Sequence, residues 1–279
     1  MKQRVFITGA SSGIGKSMAT QLQKEGYQVI GTSRNPQRYA DKLPYELVQL
    51  DVIDRISLEK CVATLQSKNF IPDVVINNAG NTLLGAIEES SIQQAKALFD
   101  LNFWGMAALN RLVLPLMRAN GGGKILHITS LAGLIGVPFQ GYYSATKHAI
   151  EGYVKSLKYE VEPFNIEVGA LELAFTKTNI HNVMQKGDQP MLAYDSIREH
   201  NEAVLQKTFA KGVSPDKITK LVSKIIKKRK LKVSYKVGTD TFLLPIINYL
   251  MPRFFYKVST NVFELNKVDR TLKTVSSVA

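Results

Sequence analysis

Apolar residues in this chain fall into two kinds of run. Short blocks at Val5-Phe6-Ile7, Gln28 to Thr32, Leu47 to Leu50, Asp73 to Ile76, Lys124 to Thr129, Ile166 to Leu171 and Val233 to Tyr235 read as strands. Longer segments between them carry apolar positions at helical spacing, among them Lys16 to Gly26 through Met18, Ala19 and Leu22, and Ile92 to Asn120. A further helix is predicted around Tyr143 to Lys147. With 279 residues of which 45% are hydrophobic, the chain is long enough to bury a full core, and its size predicts a single α/β domain over residues 1–279.

Chemistry is suggested wherever a strand-like block ends. Val5-Phe6-Ile7 runs into Thr8-Gly9-Ala10-Ser11-Ser12-Gly13-Ile14-Gly15 and then into a helix. Such a loop turns tightly, lets the backbone approach a pyrophosphate, and offers the first helical N–H groups to the anion. Gly9, Ser11, Ser12, Gly13, Ile14 and Gly15 are therefore candidate cofactor contacts. The second strand ends in Ser33-Arg34-Asn35, where an acidic residue would ordinarily hold the adenosine 2′-hydroxyl of NAD. A small hydroxyl followed by a guanidinium suits a 2′-phosphate instead, which favours NADP(H) over NAD(H). Asp51-Val52 follows the third strand, with the Asp51 carboxylate placed to accept from the adenine amino group.

The fourth strand ends in Asn77-Asn78-Ala79-Gly80, so Asn78, Ala79 and Gly80 join the same candidate set. Asn102 lies inside an apolar helical face and needs hydrogen-bond partners, a water or a backbone kink being one way to find them. Ser130 is delivered at the end of a buried strand, placed to hydrogen-bond a substrate oxygen. Tyr143 and Lys147 stand four residues apart, just over one helical turn, so both side chains rise from one face. At a separation of roughly 4–5 Å and an effective dielectric of about 20, their attraction is on the order of 3–4 kcal/mol, enough to lower the phenol's pKa and poise it for acid/base work.

Taken in order and spacing, Thr8 to Gly15, Asn77 to Gly80, Asn102, Ser130 and Tyr143 to Lys147 make the chain resemble the short-chain dehydrogenases/reductases, closely over residues 4–180 and more loosely to about 260. The resemblance implies a Rossmann-like, doubly wound parallel sheet of about seven strands with helices on both faces, in the order 3-2-1-4-5-6 plus a seventh. It implies hydride transfer between NADP(H) and a secondary alcohol, ketone or aldehyde. Tyr143 would be the general acid/base and Lys147 would hold the nicotinamide ribose, so both also count as cofactor contacts. Ser130 would polarise the substrate oxygen, Asn102 would anchor a relay water, and Thr178 would meet the cofactor. Where relatives carry Pro-Gly, this chain has Leu173-Ala174, a turn expected to be strained. That departure motivates a rival reading, a non-catalytic NADP(H)-sensing or scaffold member of the same fold.

Bulk properties narrow the remainder. One cysteine, Cys61, excludes an internal disulfide framework, and neither His127 nor His181 has company at metal spacing, so no metal is expected. No leader or membrane span is read, which predicts a cytoplasmic protein. The net charge of +13 is concentrated in part at Lys224 to Lys232, followed by an aromatic-rich segment through Phe254-Phe255-Tyr256. The expected role of residues 240–265 is to close the substrate cleft, with peripheral contact to an anionic membrane as the rival for this basic and aromatic region. Nucleic-acid binding is not expected, since no recognition motif accompanies the charge. Residues 176–211 are expected to form a lid whose Phe175, Met184, Met191, Leu192 and Tyr194 neighbourhood suits a lipophilic small-molecule alcohol or carbonyl, steroid-, retinoid- or lipid-like. Related enzymes pair through long helices, and this chain permits a homodimer or homotetramer.

Overall fold

The structure, a computed structural model, describes residues 2–39, 41–177, 184–263 and 265. Seven parallel strands form the main sheet: β1 (Arg4–Ile7), β2 (Gln28–Ser33), β3 (Glu46–Gln49), β4 (Val74–Asn77), β5 (Gly123–Ser130), β6 (Ile166–Leu173) and β7 (Ser234–Val237). Their spatial order is β3-β2-β1-β4-β5-β6-β7, the expected doubly wound arrangement. Because the chain reverses direction across the sheet between β3 and β4, the carboxyl ends of β1 and β4 open a crevice between them.

Helices cover both faces, which explains why the strands read as near-continuous apolar runs rather than alternating ones. Phe6, Val75, Ile125 and Val168 point to one side, where they meet α2 (Arg55–Ser67), α4 (Gly105–Ala119) and α5 (Gly141–Val161). Val5, Ile7, Val74, Ile76, Leu126 and Leu171 point to the other, against α1 (Gly13–Lys24) and α7 (Pro215–Ile226). Each large side chain so buried contributes about 1.5–3 kcal/mol.

Two departures from the sequence pattern bear on the site. The expected continuous helix from Ile92 to Asn120 is interrupted: α3 (Ile92–Phe99) passes into one π-helical turn, Asp100–Trp104, before α4 begins. A π turn inserts a residue and reorients the side chains around it, and Asn102 lies within it. The second departure is a short parallel pair, Leu83–Leu84 with Gln185–Lys186, standing apart from the main sheet. It ties the region after β4 to the segment leading into α6 (Asp195–Ala210). Two further helices, α8 (Asp240–Leu250) and α9 (Pro252–Val262), follow β7 at the carboxyl end of the sheet.

Candidate active site

The glycine loop is built by backbone constraints that only glycine satisfies. Gly9 and Gly13 adopt left-handed φ values of +64° and +55°, a region costly for residues with a Cβ. Gly15 is required for a different reason: a Cβ there would fall 2.2 Å from the Gly9 carbonyl oxygen and 2.5 Å from Asn78 Nδ2. The loop is held from both sides. Gly9 N donates to Thr32 Oγ1 (3.1 Å), and the buried Tyr45 hydroxyl donates to the Ala10 carbonyl (2.7 Å). Asn78 Nδ2 donates to the carbonyls of Thr8 and Gly9, and Thr8 Oγ1 accepts from the N–H groups of Asn78 and Ala79. Asn78 thus spends its amide on bracing the loop. Ser12 begins α1 without its side chain capping the helix, so the first N–H groups stay free for an anion. Gly31 leaves room for Ala10, 2.5 Å from where a Cβ would stand, and Gly80 for Asn102 Oδ1, 2.9 Å away; a loop of this build could hold a dinucleotide pyrophosphate.

At the adenosine end, Ser33 is buried and its Oγ accepts from Asn35 N (3.2 Å). Arg34 is exposed, and no hydrogen bond or ion pair holds its guanidinium among the described residues. Asp51 Oδ1 accepts from Ile53 N (3.3 Å), leaving its second oxygen open, while buried Val52 packs its backbone against Gly105, where a Cβ would come within 2.5 Å of the Val52 carbonyl.

Ser130, Tyr143, Lys147 and Asn102 converge at the carboxyl end of β5. Ser130 hydrogen-bonds the Tyr143 phenol, and its Oγ also accepts from Ala132 N (3.2 Å). Lys147 Nζ donates to the Ile128 carbonyl (3.1 Å) and stands 5.7 Å from the Tyr143 ring centre. Asn102 Oδ1 accepts from Asn81 N (2.8 Å), and its Nδ2 donates to Asn81 O (2.9 Å) and Thr146 Oγ1 (3.1 Å). Thr146 in turn donates to the Tyr143 carbonyl (2.7 Å). The Asn102 side chain therefore clamps the π turn to α5 and to the chain after β4.

The charge balance differs from the sequence expectation. Burial raises the Tyr143 phenol above its ordinary value, and the Ser130 hydrogen bond opposes that rise. Lys147 is itself pushed down to about 8 by burial, against the pull of Glu151. The expected lowering of the phenol by Lys147 is thus corrected for the protein alone: the ammonium stands over the ring, 5.7 Å from its centre, and donates to a carbonyl, and burial sets the direction of the phenol's shift. Behind the pair, Thr129 Oγ1 donates to Glu151 Oε1 (2.5 Å). Buried His127 is pushed down to about 3 by burial and by Lys147, so it is neutral.

The feared strain at Leu173-Ala174 is absent. Neither residue has a positive φ, and Ala174 N donates to Val237 O (2.9 Å), continuing the strand. Room for the added methyl comes from across the sheet, where Gly238 (φ +100°) carries no Cβ; one placed there would lie 2.7 Å from Ala174 Cβ. Thr178 and His181 lie outside the described residues. Of the remaining candidates, the glycine loop, Asn78 to Gly80, Asn102 and Tyr143 are joined by contacts near the strand ends, with Ser130 and Lys147 beside Tyr143. Sequence reasoning missed Thr146 and Glu151. Both stand at helical spacing from Tyr143 or Lys147, but nothing in the sequence marks their faces as buried.

The region expected as a lid is anchored. Buried Glu89 binds the Arg198 guanidinium and accepts from Met191 N and Ala86 N (3.0 Å each), while Ser91 N and Oγ donate to Asp188 at 2.7 and 2.6 Å. Leu244 of α8 and Phe255 of α9 pack with Phe175 on the cluster of Leu131, Ala132, Ile135 and Val137 that carries Tyr143. The basic run lies elsewhere. Lys227 pairs with Glu25 (3.0 Å) and Lys230 with Glu162 (3.3 Å), both at the amino end of the sheet. The aromatic helices and the cations, adjacent in sequence, are separated by the length of β7. A solvent hollow lined by Arg4, Asp73, Asn165 and Arg229 is also at that amino end, remote from Tyr143. No group of metal ligands and no membrane-crossing helix occurs among the described residues.

Comparison with known proteins agrees with this geometry. A family model described as short chain dehydrogenase matches residues 3–189. The 3-ketodihydrosphingosine reductase of Bacteroides thetaiotaomicron is 35% identical over 241 residues, 85% of this chain and 88% of that protein. A short-chain dehydrogenase from Streptomyces avermitilis superposes with a TM-score of 0.77 at 29% identity, covering 98% of this chain and 100% of the other. The closed form of a serine dehydrogenase complexed with NADP+ shares the fold at a TM-score of 0.72 and 23% identity, over 84% and 94% of the two chains. On its matched length, its strand order and its convergent crevice, the chain belongs to the short-chain dehydrogenase/reductase family of oxidoreductases.

Proposed function

We propose that this protein reduces a ketone, or oxidises the matching secondary alcohol, with NADP(H), and that the substrate is lipophilic. The observation carrying the proposal is the convergence of Ser130, Tyr143 and Lys147 beside a glycine loop shaped for a pyrophosphate. Gly9 to Gly15 would hold the phosphates, with Ser33 and Arg34 at the adenosine 2′ position and Lys147 at the nicotinamide ribose. When bound, the cofactor supplies or accepts the hydride. The chain's own residues handle the proton and the orientation. Tyr143 Oη gives its proton to the substrate oxygen in reduction and takes it back in oxidation. Ser130 Oγ donates to the same oxygen, fixing its position and drawing charge onto it. Lys147 supplies the positive charge that the phenolate side of that exchange requires, and Asn102 holds α5 and the π turn in register.

A lipophilic substrate is supported by the apolar cluster around Tyr143, roofed by Phe175, Leu244 and Phe255, and by the relative named a 3-ketodihydrosphingosine reductase. In this reading residues 176–211 and 240–265 cover the substrate, and the whole chain works as one catalytic domain. The rival of a cofactor sensor loses its main motive, because Ala174 sits without strain opposite Gly238.

Tyr143→Phe tests the proposal. NADPH consumption with a panel of long-chain ketones should fall roughly 10²–10⁴-fold, the usual worth of a general acid. Thermal stabilisation by NADPH should persist, since it follows binding alone. Stabilisation by NADPH without turnover of any carbonyl by the unaltered protein would move the assignment to the sensor.

A further inference from the structure

Lys147 is buried, with 8% of its surface exposed. Taking an ammonium out of water costs several kcal/mol, and one carbonyl at 3.1 Å satisfies a hydrogen but supplies no counter-charge. The acids that can supply it stand behind the helix. Glu151 follows Lys147 by four residues on α5 and is equally buried, so both side chains turn inward on one face. The turn over Leu131–Gly133 seals them there: a Cβ on Gly133 would come 3.1 Å from the Lys147 carbonyl and 3.2 Å from Glu151 Cγ. Glu151 is fixed by the 2.5 Å hydrogen bond from Thr129, the residue before Ser130. Opposite Thr129 in the pairing of β5 with β6 stands Glu172, also buried, whose Oε2 has no hydrogen-bond partner in the protein.

We propose that Glu151 is the counter-ion that keeps Lys147 protonated, a positioning residue acting on Tyr143 through Lys147, and that Glu172 governs how much charge Glu151 carries. The proposal rests on the oxidoreductase reading above for its consequence in turnover, but not for the ion pair itself. The titratable groups facing Lys147 are Tyr143 and Glu151 on α5 and His127 on β5; Glu172 on β6 and Lys155, an exposed residue a turn beyond Glu151, act on the Glu151 carboxylate. His127 is neutral and offers no charge. Burial holds Glu151 up at about 6, opposed by the Thr129 hydrogen bond and reinforced by Glu172, with Lys155 and Lys147 pulling it down. Lys147 sits at about 8. Both groups are therefore charged together in the interval between these two values. Below it Glu151 takes a proton, and above it Lys147 loses one.

The sign of each substitution follows. Glu151→Gln removes the anion and lowers the Lys147 pKa further, so the alkaline limb of kcat moves to lower pH by about one unit, a tenfold change in proton affinity, with KM for NADPH little altered. Glu151→Asp keeps the charge and restores most of the limb. Glu172→Gln relieves Glu151 of a like charge, so the acid limb, where Glu151 takes a proton, moves to lower pH while the alkaline limb changes little. These profiles are measured on the full chain between about pH 5 and 10. The same ordering is read without turnover by NMR titration of protein carrying 13C-labelled lysine, the Lys147 signal being assigned with Lys147→Arg. A Lys147 midpoint in Glu151→Gln that coincides with the unaltered protein overturns the proposal, whether or not a carbonyl substrate has been found. A midpoint that falls while no carbonyl is turned over supports the ion pair and counts instead against the proposed reaction. Should Glu151→Gln not fold, Thr129→Val deprives the carboxylate of its donor and is expected to lower the Lys147 midpoint in the same direction; no change there would equally refute the role.

Discussion

Single side chains show how a motif can be legible while its energetics are not. The four-residue spacing of Tyr143 and Lys147 announces a shared helix face, and Ser130 announces itself by ending a strand. Spacing, however, says nothing of desolvation. The chain buries Lys147 deeply enough to lower its proton affinity to about 8, so the ammonium expected to acidify the phenol itself needs support. Thr146 and Glu151 were hidden for the same reason: a polar residue on a helix reads as solvated until the burial of its face is known. Arg34 is exposed and its guanidinium has no partner among the described residues, so the proposed 2′-phosphate contact is tested by its substitution. Arg34→Ala should weaken NADPH binding by on the order of tenfold, the worth of one charge-assisted hydrogen bond, and leave NADH nearly unchanged. Titration of both cofactors by fluorescence checks this, and equal losses would remove the 2′-phosphate role.

At the level of elements, every strand of the main sheet is traceable to an apolar run, because a parallel sheet covered on both faces demands one. The break between α3 and α4 was not traceable. One extra residue in a π turn leaves the apolar periodicity on either side intact, and only the Asn102 clamp to Asn81 and Thr146 reveals its use. The glycine loop combines both situations. Its sequence predicts a tight turn, yet the reason Gly15 must be glycine is a tertiary one, the Gly9 carbonyl lying where a Cβ would go. Gly15→Ala should cost about 1–3 kcal/mol of stability by overpacking against backbone, and should abolish NADPH-induced stabilisation. Urea unfolding with and without NADPH measures both; an unshifted midpoint would show that the loop yields more easily than its geometry implies. The exchange of Pro-Gly for Leu173-Ala174 teaches a similar lesson, for its compensation at Gly238 is far away in sequence.

The molecule as a whole carries two unlike surfaces. Around α8 and α9, Phe242, Leu243, Ile246, Leu250 and Phe254 are all more than half exposed, and from Thr241 to Pro252 there is no ionisable side chain but Tyr249. Contiguous exposed apolar groups of this kind mark contact surfaces. They border the helices that roof the apolar cluster bearing Tyr143, which is where a lipophilic substrate would enter. Peripheral membrane contact through this face is therefore the favoured extension of the proposed function, now without the basic run. Leu250→Asp combined with Phe254→Asp should release the protein from phospholipid vesicles in co-sedimentation and leave reduction of a short, water-soluble ketone intact. Failure of the unaltered protein to bind vesicles, with self-association reversed by the same substitutions, would assign the face to a second copy.

The separation of the cationic run from α8 and α9 gives the particle a polarity of its own. Lys227, Lys228, Arg229 and Lys230 cluster near the strand starts, whereas the apolar helices crown the strand finishes. A negatively charged bead gripping these four cations would hold the protein by the strand starts and leave the apolar helices on the far side. A support chosen for charge alone would thus orient the whole layer for catalysis.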